Sequence, residues 1–347
     1  MKKTPLIKSA CQAGFLLCSV LLSVLMQQHS TRAAGFNLVW STAFSSSLKT
    51  SEWNIYNNVP FGSSSTACFM RANTWASGGF LNLLVNQNSS GGCAWSRPYA
   101  SGALDTYFYK PALTYGRWVV RAKMPTGHGV TGYIGLFPVN GSWPPEIDIA
   151  EYIGKEKDNL FITQHYGTAS NHQQDTVVLR RTRSAFSKTH LRSNSRLAKQ
   201  CLGTSKRSTA PKSTKANAIP DDRNVASPGP LNLCKYAAKS LSSGSTQPQS
   251  ASGKSVPSSY WTNSFHTYTL EWVPGQLRYY IDGQLRVTQA QKFSAVPNMM
   301  KLAVGTGTGN CGAHWVGCPE EASSKGLSWP LPSTMQVDFI KVYRYVP

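Results

Sequence analysis

The sequence predicts an all-β protein, a sandwich or barrel of many short strands. Three observations predict it. About 11% of the 347 residues are aromatic, and Trp, Tyr and Gly are frequent. Short runs of β-forming residues alternate with turn signals at regular spacing along most of the chain, a pattern that builds sandwiches and barrels. Long helical periodicities are scarce, and no internal repeat interrupts the strand pattern. A chain of this length suits one large domain or two small ones, and can bury a sizeable core.

From about Gly35 the expected strands run Phe36–Trp40, Phe80–Val85, Tyr115–Ala122, Ile134–Phe137, Glu146–Tyr152 and Asn159–His165. After a gap come Phe265–Trp272, Gln276–Ile281, Gln284–Thr288, Met299–Val304 and Met335–Tyr345. Asp282-Gly283 between two of these runs is a type I′ hairpin signal, because both residue types tolerate positive φ. The gap, about Leu179 to Ser259, is rich in Ser, Thr, Lys and Arg and has little apolar periodicity. Such a stretch buries too little apolar surface to offset its ordering entropy, and reads as a basic, Ser-rich, irregular insertion.

A net charge of +20 raises the question of nucleic acid. Its distribution answers it. Lys2, Lys3, Lys8 and Arg32 fall in the first 34 residues, and 15 Lys/Arg against Asp221 and Asp222 fall in 179–259. The remainder is close to neutral, so a nucleic-acid partner is not expected. The first 34 residues read as a signal peptide: a basic start, an apolar stretch from Ala13 to Met26 that is short for a membrane span, and small residues at Ala33-Ala34. The expected protein is therefore secreted or periplasmic, a monomer, and free of the membrane once the signal is cleaved. Cys11 and Cys18 leave with the signal. Cys68, Cys93, Cys201, Cys234, Cys311 and Cys318 remain, and proximity favours Cys311–Cys318, Cys68–Cys93 and Cys201–Cys234 among 15 pairings.

The chemistry concentrates in Pro144-Pro145-Glu146-Ile147-Asp148-Ile149-Ala150-Glu151-Tyr152. Outside the basic insertion the chain has only 13 acids, and three of them stand within six residues of an apolar strand. Side chains alternate along a strand, so Glu146 and Asp148 share a face while Glu151 points the other way. One β-bulge near Ile149-Ala150 would return Glu151 to that face. Paired carboxyl groups on one face are what a retaining glycoside hydrolase needs, one to attack the anomeric carbon and one to protonate the leaving oxygen. A third between them can hydrogen-bond the nucleophile and help keep the acid protonated.

Glu146-Ile147-Asp148-Ile149-Ala150-Glu151 resembles the bulged ExDxxE signature of glycoside hydrolase family 16, the form of laminarinases, agarases and carrageenases. Tyr115-Gly116-Arg117 through Lys123-Met124-Pro125, Gln164-His165-Tyr166-Gly167, Phe265 to Trp272, Tyr279 to Gly283 and Met335 to Tyr343 follow in the family's order. The resemblance implies a β-jelly-roll sandwich of two antiparallel sheets with a concave substrate cleft. It implies Glu146 as nucleophile, Glu151 as general acid/base and Asp148 as assistant. Trp143 is expected to stack on a sugar, with His165 and Tyr166 beside it, while Trp118 and Trp272 are expected in the core. The implied activity is endo-acting cleavage of β-1,3 or mixed β-1,3/1,4-glucan. A hydrolase of a sulfated or acidic galactan, or a non-catalytic carbohydrate-binding protein, remains as an alternative. No cofactor is required, although some members hold a structural calcium beside an Asp like Asp338. The chain departs from glucan-cleaving members at Ser101-Gly102-Ala103, where an Arg often follows the glycine, and at Gly129 to Pro138, where two Trp residues are replaced.

Overall fold

The computed structural model describes residues 35–60, 65–88, 97–106, 112–181, 186–192, 260–294, 300–311 and 315–347. The expected signal segment, most of the basic stretch, and Cys93, Cys201 and Cys234 lie outside them. The strands are β1 (Gly35–Thr42), β2 (Asn54–Ile55), β3 (Val59–Pro60), β4 (Ala67–Phe69), β5 (Thr74–Ser77), β6 (Phe80–Gln87), β7 (Tyr99–Ser101), β8 (Ala103–Asp105), β9 (Gly116–Lys123) and β10 (Val130–Pro138). They continue as β11 (Glu146–Ile153), β12 (Asn159–Gly167), β13 (His172–Arg181), β14 (Phe186–Arg192), β15 (His266–Val273), β16 (Gln276–Ile281), β17 (Gln284–Ala290), β18 (Met300–Thr308) and β19 (Ser333–Val346). Short helices occupy Tyr260–Asn263 and Glu320–Ser324. Among the described residues, no helix is long and apolar enough to cross a membrane.

Two sheets form. One runs β17-β16-β15-β9-β19-β6-β7-β4-β3, with β1 added on β19 and β5 on β6. The other runs β14-β13-β12-β11-β10-β18-β8-β2. Pairing is antiparallel throughout except between β4 and β7. Alternation explains how they stack. In β9, Trp118, Val120 and Ala122 are buried while Arg117, Val119, Arg121 and Lys123 are partly exposed. Tyr268, Leu270 and Trp272 of β15 add to the same inner face, and Ile134, Leu136, Ile147, Leu160 and Ile162 of the second sheet meet them in one core. Trp118 and Trp272 stack there at 6.3 Å between ring centroids, as expected of core residues. The Asp282-Gly283 turn carries positive φ at both residues, 51° and 74°, the geometry a type I′ hairpin needs.

Every strand expected from the sequence is present, with ends shifted by a few residues. The expected irregular stretch begins later than about 179. Leu179–Arg181 belong to β13, and β14 pairs with it in regular register from Asp175↔Arg192 to Arg181↔Phe186. Buried Val177 and Leu179 anchor β13 in the core, and β14 then adds through backbone hydrogen bonds, which is why its own basic composition hid it. Cys311–Cys318 is a disulfide, and Cys68 is also disulfide-bonded.

Candidate active site

The site lies on the outer face of the eight-stranded sheet, around β11. Against β12, Glu146 pairs with His165, Asp148 with Thr163 and Glu151 with Phe161. Three positions of β11 thus oppose two of β12, and the extra residue is the expected bulge. The β10 side agrees, with Gly135 opposite Asp148 and Ile134 opposite Ala150. Because His165, Thr163 and Phe161 share a face of β12, the three acids share a face of β11. Ile147, Ile149, Ala150 and Tyr152 go to the core.

Glu146, Asp148 and Glu151 are buried. Glu146 Oε1, Asp148 Oδ1 and both carboxylate oxygens of Glu151 have no hydrogen-bond partner. Buried polar atoms are normally satisfied, so four unpaired oxygens in one trough are what a binding or reacting site holds ready. Burial pushes both glutamates well above the usual carboxylate range, and the charge of Asp148 pushes both further; a hydrogen bond with Asp148 and the charge of Glu151 also raise Glu146. Only Glu146 has a hydrogen bond that works the other way, from the indole Nε1 of Trp143 to its Oε2 at 2.6 Å. The two acids are therefore unequal: one carries a donor that favours its anion, and the other carries none.

His165 Nε2 lies 3.1 Å from Asp148 Oδ2. Its Nδ1 lies 2.8 Å from Nε2 of His172 at the start of β13. Trp143 is half-buried, with its ring centroid 4.6 Å from that of His172. Both peptide bonds of Trp143–Pro144–Pro145 are cis. Tyr133 stands opposite Glu151 on β10 and its phenol is held protonated by burial and by Asp105 and the three acids. Its ring fills the space over Gly305, where a Cβ would stand 2.5 Å from the phenol oxygen. Next to Trp143 is a pocket lined by Tyr56, Phe137, Pro138, Ser142, Trp143 and Lys301. Lys301 Nζ is 2.7 Å from Asp105 Oδ2, and Tyr56 donates its hydroxyl to the same oxygen.

Two expected residues fall elsewhere. Tyr166 follows His165 on an unbulged strand, so alternation turns it to the opposite face, away from the acids. Asp338 meets Arg121 in an ion pair. That pairing of its carboxylate with a guanidinium does not fit a calcium ligand, which needs several oxygens around one ion. Sequence reading passed over His172, Tyr133, Asp105 and Tyr56. A second His seven positions after His165, across a glycine-containing turn, was the available signal for His172. Asp105 and Tyr56 sit on short, distant segments that only the sheet brings together.

The sequence model of Glycosyl hydrolases family 16 matches residues 66–190 and 240–329, more than half of the chain. The chain belongs to this family. The family match is interrupted between 190 and 240, inside the basic stretch. Glucan endo-1,3-beta-glucosidase A1 of Niallia circulans is 25% identical over 346 residues, covering 90% of this chain and 38% of the relative. Endo-1,3-1,4-beta-glycanase ExsH of Rhizobium meliloti (strain 1021) is 43% identical over 67 residues, 19% of this chain and 14% of the relative. The chain thus spans well under half the length of these two curated relatives. The laminarinase from Rhodothermus marinus superposes with a TM-score of 0.56 at 20% identity, over 91% of this chain and 100% of that one. This family-16 chain therefore shares the two-sheet fold of that structure.

Proposed function

We propose that the chain is an exported, endo-acting, retaining hydrolase of β-1,3 or mixed β-1,3/1,4-glucan, with Glu146 as nucleophile, Glu151 as general acid/base and Asp148 as assistant. The observation that carries the reading is the bulge, which gathers three buried acids on one face. The names of the relatives support the substrate class. The apolar, basic-led segment before Gly35 supports export.

The inequality of the glutamates supports their roles. Glu151 has burial and the Asp148 charge to keep its proton and no donor to remove it. Glu146 has the Trp143 N–H to favour its anion. In the first step an oxygen of Glu146 bonds to the anomeric carbon while the glycosidic bond breaks, and the Glu151 proton goes to the leaving oxygen. In the second step water attacks the same carbon, Glu151 takes its proton, and the bond to Glu146 breaks. Two inversions return the original anomeric configuration. His165 Nε2 bonds Asp148 Oδ2, which fixes the orientation of that carboxylate beside the glutamates.

The charge of the site favours a neutral glucan over a sulfated or acidic galactan. Asp105, Glu146, Asp148 and Glu151 are all buried there, and Lys301 is already paired with Asp105. An added sulfate would face these buried carboxylates. The test is reducing-end release from laminarin, lichenan, agarose and carrageenan, with anomer-resolved NMR of the first product. Release from laminarin or lichenan with the β-anomer first is expected, and Glu146→Gln should lower kcat by 10³-fold or more while retaining glucan binding. Release from carrageenan alone, or an α-anomer first, would overturn the reading.

A further inference from the structure

We infer that His172 is a positioning residue that braces the nucleophile Glu146 and its assistant Asp148 at once, through two separate arms. The inference rests on the roles proposed above for those two acids, and goes beyond them to a residue of another strand.

The first arm runs through His165. Its Nε2 reaches Asp148 Oδ2 at 3.1 Å, and a carboxylate accepts, so that nitrogen carries the hydrogen. His165 Nδ1 lies 2.8 Å from His172 Nε2, so the two rings share a hydrogen bond. His172 is the half-buried outer member of this pair. Burial first, and then the neighbouring His165, lower its pKa to about 4, consistent with a neutral ring in this hydrogen bond. The second arm runs through Trp143. The indole packs on His172 with centroids 4.6 Å apart, and the same indole gives Glu146 its hydrogen bond at 2.6 Å. His165 and His172 are themselves stacked, 5.0 Å apart and 23° between planes.

The local fold explains how one side chain reaches both. Gly167 pairs with His172 and His165 with Gln174, so His165 and His172 are diagonal neighbours on one face. The connection between β12 and β13 closes through Thr168 and Asn171, whose backbones bond each other. Gly167 has φ +88°, and a Cβ there would stand 2.4 Å from the Asn171 carbonyl oxygen, so the close turn that delivers His172 depends on glycine. His172 therefore lies at the end of a short hairpin, where it locks a ring that orients Asp148 and supports a ring that feeds Glu146.

Three variants separate the arms. His172→Phe keeps the ring beneath Trp143 and loses the hydrogen bond to His165. His172→Gln keeps a hydrogen-bonding group near the Nε2 position and loses the ring. His172→Ala loses both. On laminarin, His172→Ala should lower kcat about 10- to 100-fold, the penalty of misplacing reacting groups by a fraction of an ångström to an ångström. KM should stay within about twofold. Phe and Gln should each recover part of the loss. A second readout needs no turnover. The Trp143 indole N–H resonance, identified with a Trp143→Phe variant, should sit downfield in the wild type, stay there in His172→Phe, and move toward its free position in His172→Ala. A wild type inactive on every β-glucan would sink the functional reading, while the resonance would still report on the brace. His172→Ala with kcat within twofold of wild type, or with an unmoved Trp143 resonance, would overturn the inference; if Ala fails to fold, equal and unimpaired rates in Phe and Gln overturn it as well.

Discussion

Glu146 and Glu151 are the same residue type in the same buried trough, and only Glu146 receives an N–H that favours its anion. Removing it tests the assignment. Trp143→Phe keeps an aromatic ring and deletes the donor to Glu146, so the Glu146 pKa rises further. The acidic limb of kcat/KM against pH, where the nucleophile must lose its proton, should then move to higher pH, with the alkaline limb set by Glu151 left in place. Holding two acids in this state also weakens the fold. A group whose folded pKa is raised favours folding below its unfolded value near 4.5 and loses that contribution as pH climbs through the folded value. Glu151→Gln removes the group that titrates. Its melting temperature should exceed that of the wild type at pH 7, and the two should converge near pH 4, as read by calorimetry across that range. His172 has the opposite sense. Its pKa falls from 6.5 to about 4, so the unfolded chain binds the extra proton between those values, and stability drops as pH falls through that window.

At the level of the strand, a one-residue irregularity decides which acids meet. Deleting Ile149 restores strict alternation and still leaves all three acids on one face, so the variant should keep measurable hydrolysis. Inserting an alanine after Ala150 sets Glu151 an even four positions from Asp148, on the acids' face but roughly 7 Å further along the strand once alternation is regular, too far to share one glycosidic bond with Glu146; hydrolysis should fall below detection in the same reducing-sugar assay while the circular dichroism of the sheet persists. That bulge was legible in the sequence, because three carboxylates at spacings of two and three cannot share a face of a regular strand. Eleven of the thirteen strands of six residues or more were legible for the related reason that alternation marks a half-buried surface, β13 and β14 being the two that were not. Other pieces were not. β2, β3, β4, β7 and β8 are only two or three residues long, too short for a period to show. β14 carries Lys188 and Arg192 in a stretch whose composition signals disorder, and its order comes from pairing with β13. Tyr166 shows the limit of motif reading, since its neighbour His165 reaches the acids and alternation sends Tyr166 the other way.

Across the whole molecule, the site depends on a core that it does not touch. Trp118 and Trp272, both buried, join the two sheets behind β11. Trp272→Ala should cost about 3–5 kcal/mol of folding free energy, the range for truncating a buried large aromatic residue. Denaturant unfolding followed by tryptophan fluorescence measures it. Per folded molecule, glucan turnover should change little. The family and the two-sheet architecture were readable because the matching segments stand in order along the chain. The chemistry around Trp143 was less so. The Asp105–Lys301 pair joins residues 196 positions apart, and Tyr56 reaches that pair from a third segment. No local pattern announces such a meeting. The pairing of β1 with β19 sets Gly35 opposite Val346. A short peptide graft joining those two positions would close residues 35–346 into a ring, and cutting that ring at the Asp282-Gly283 tip would give a circular permutant with the same strand order in space.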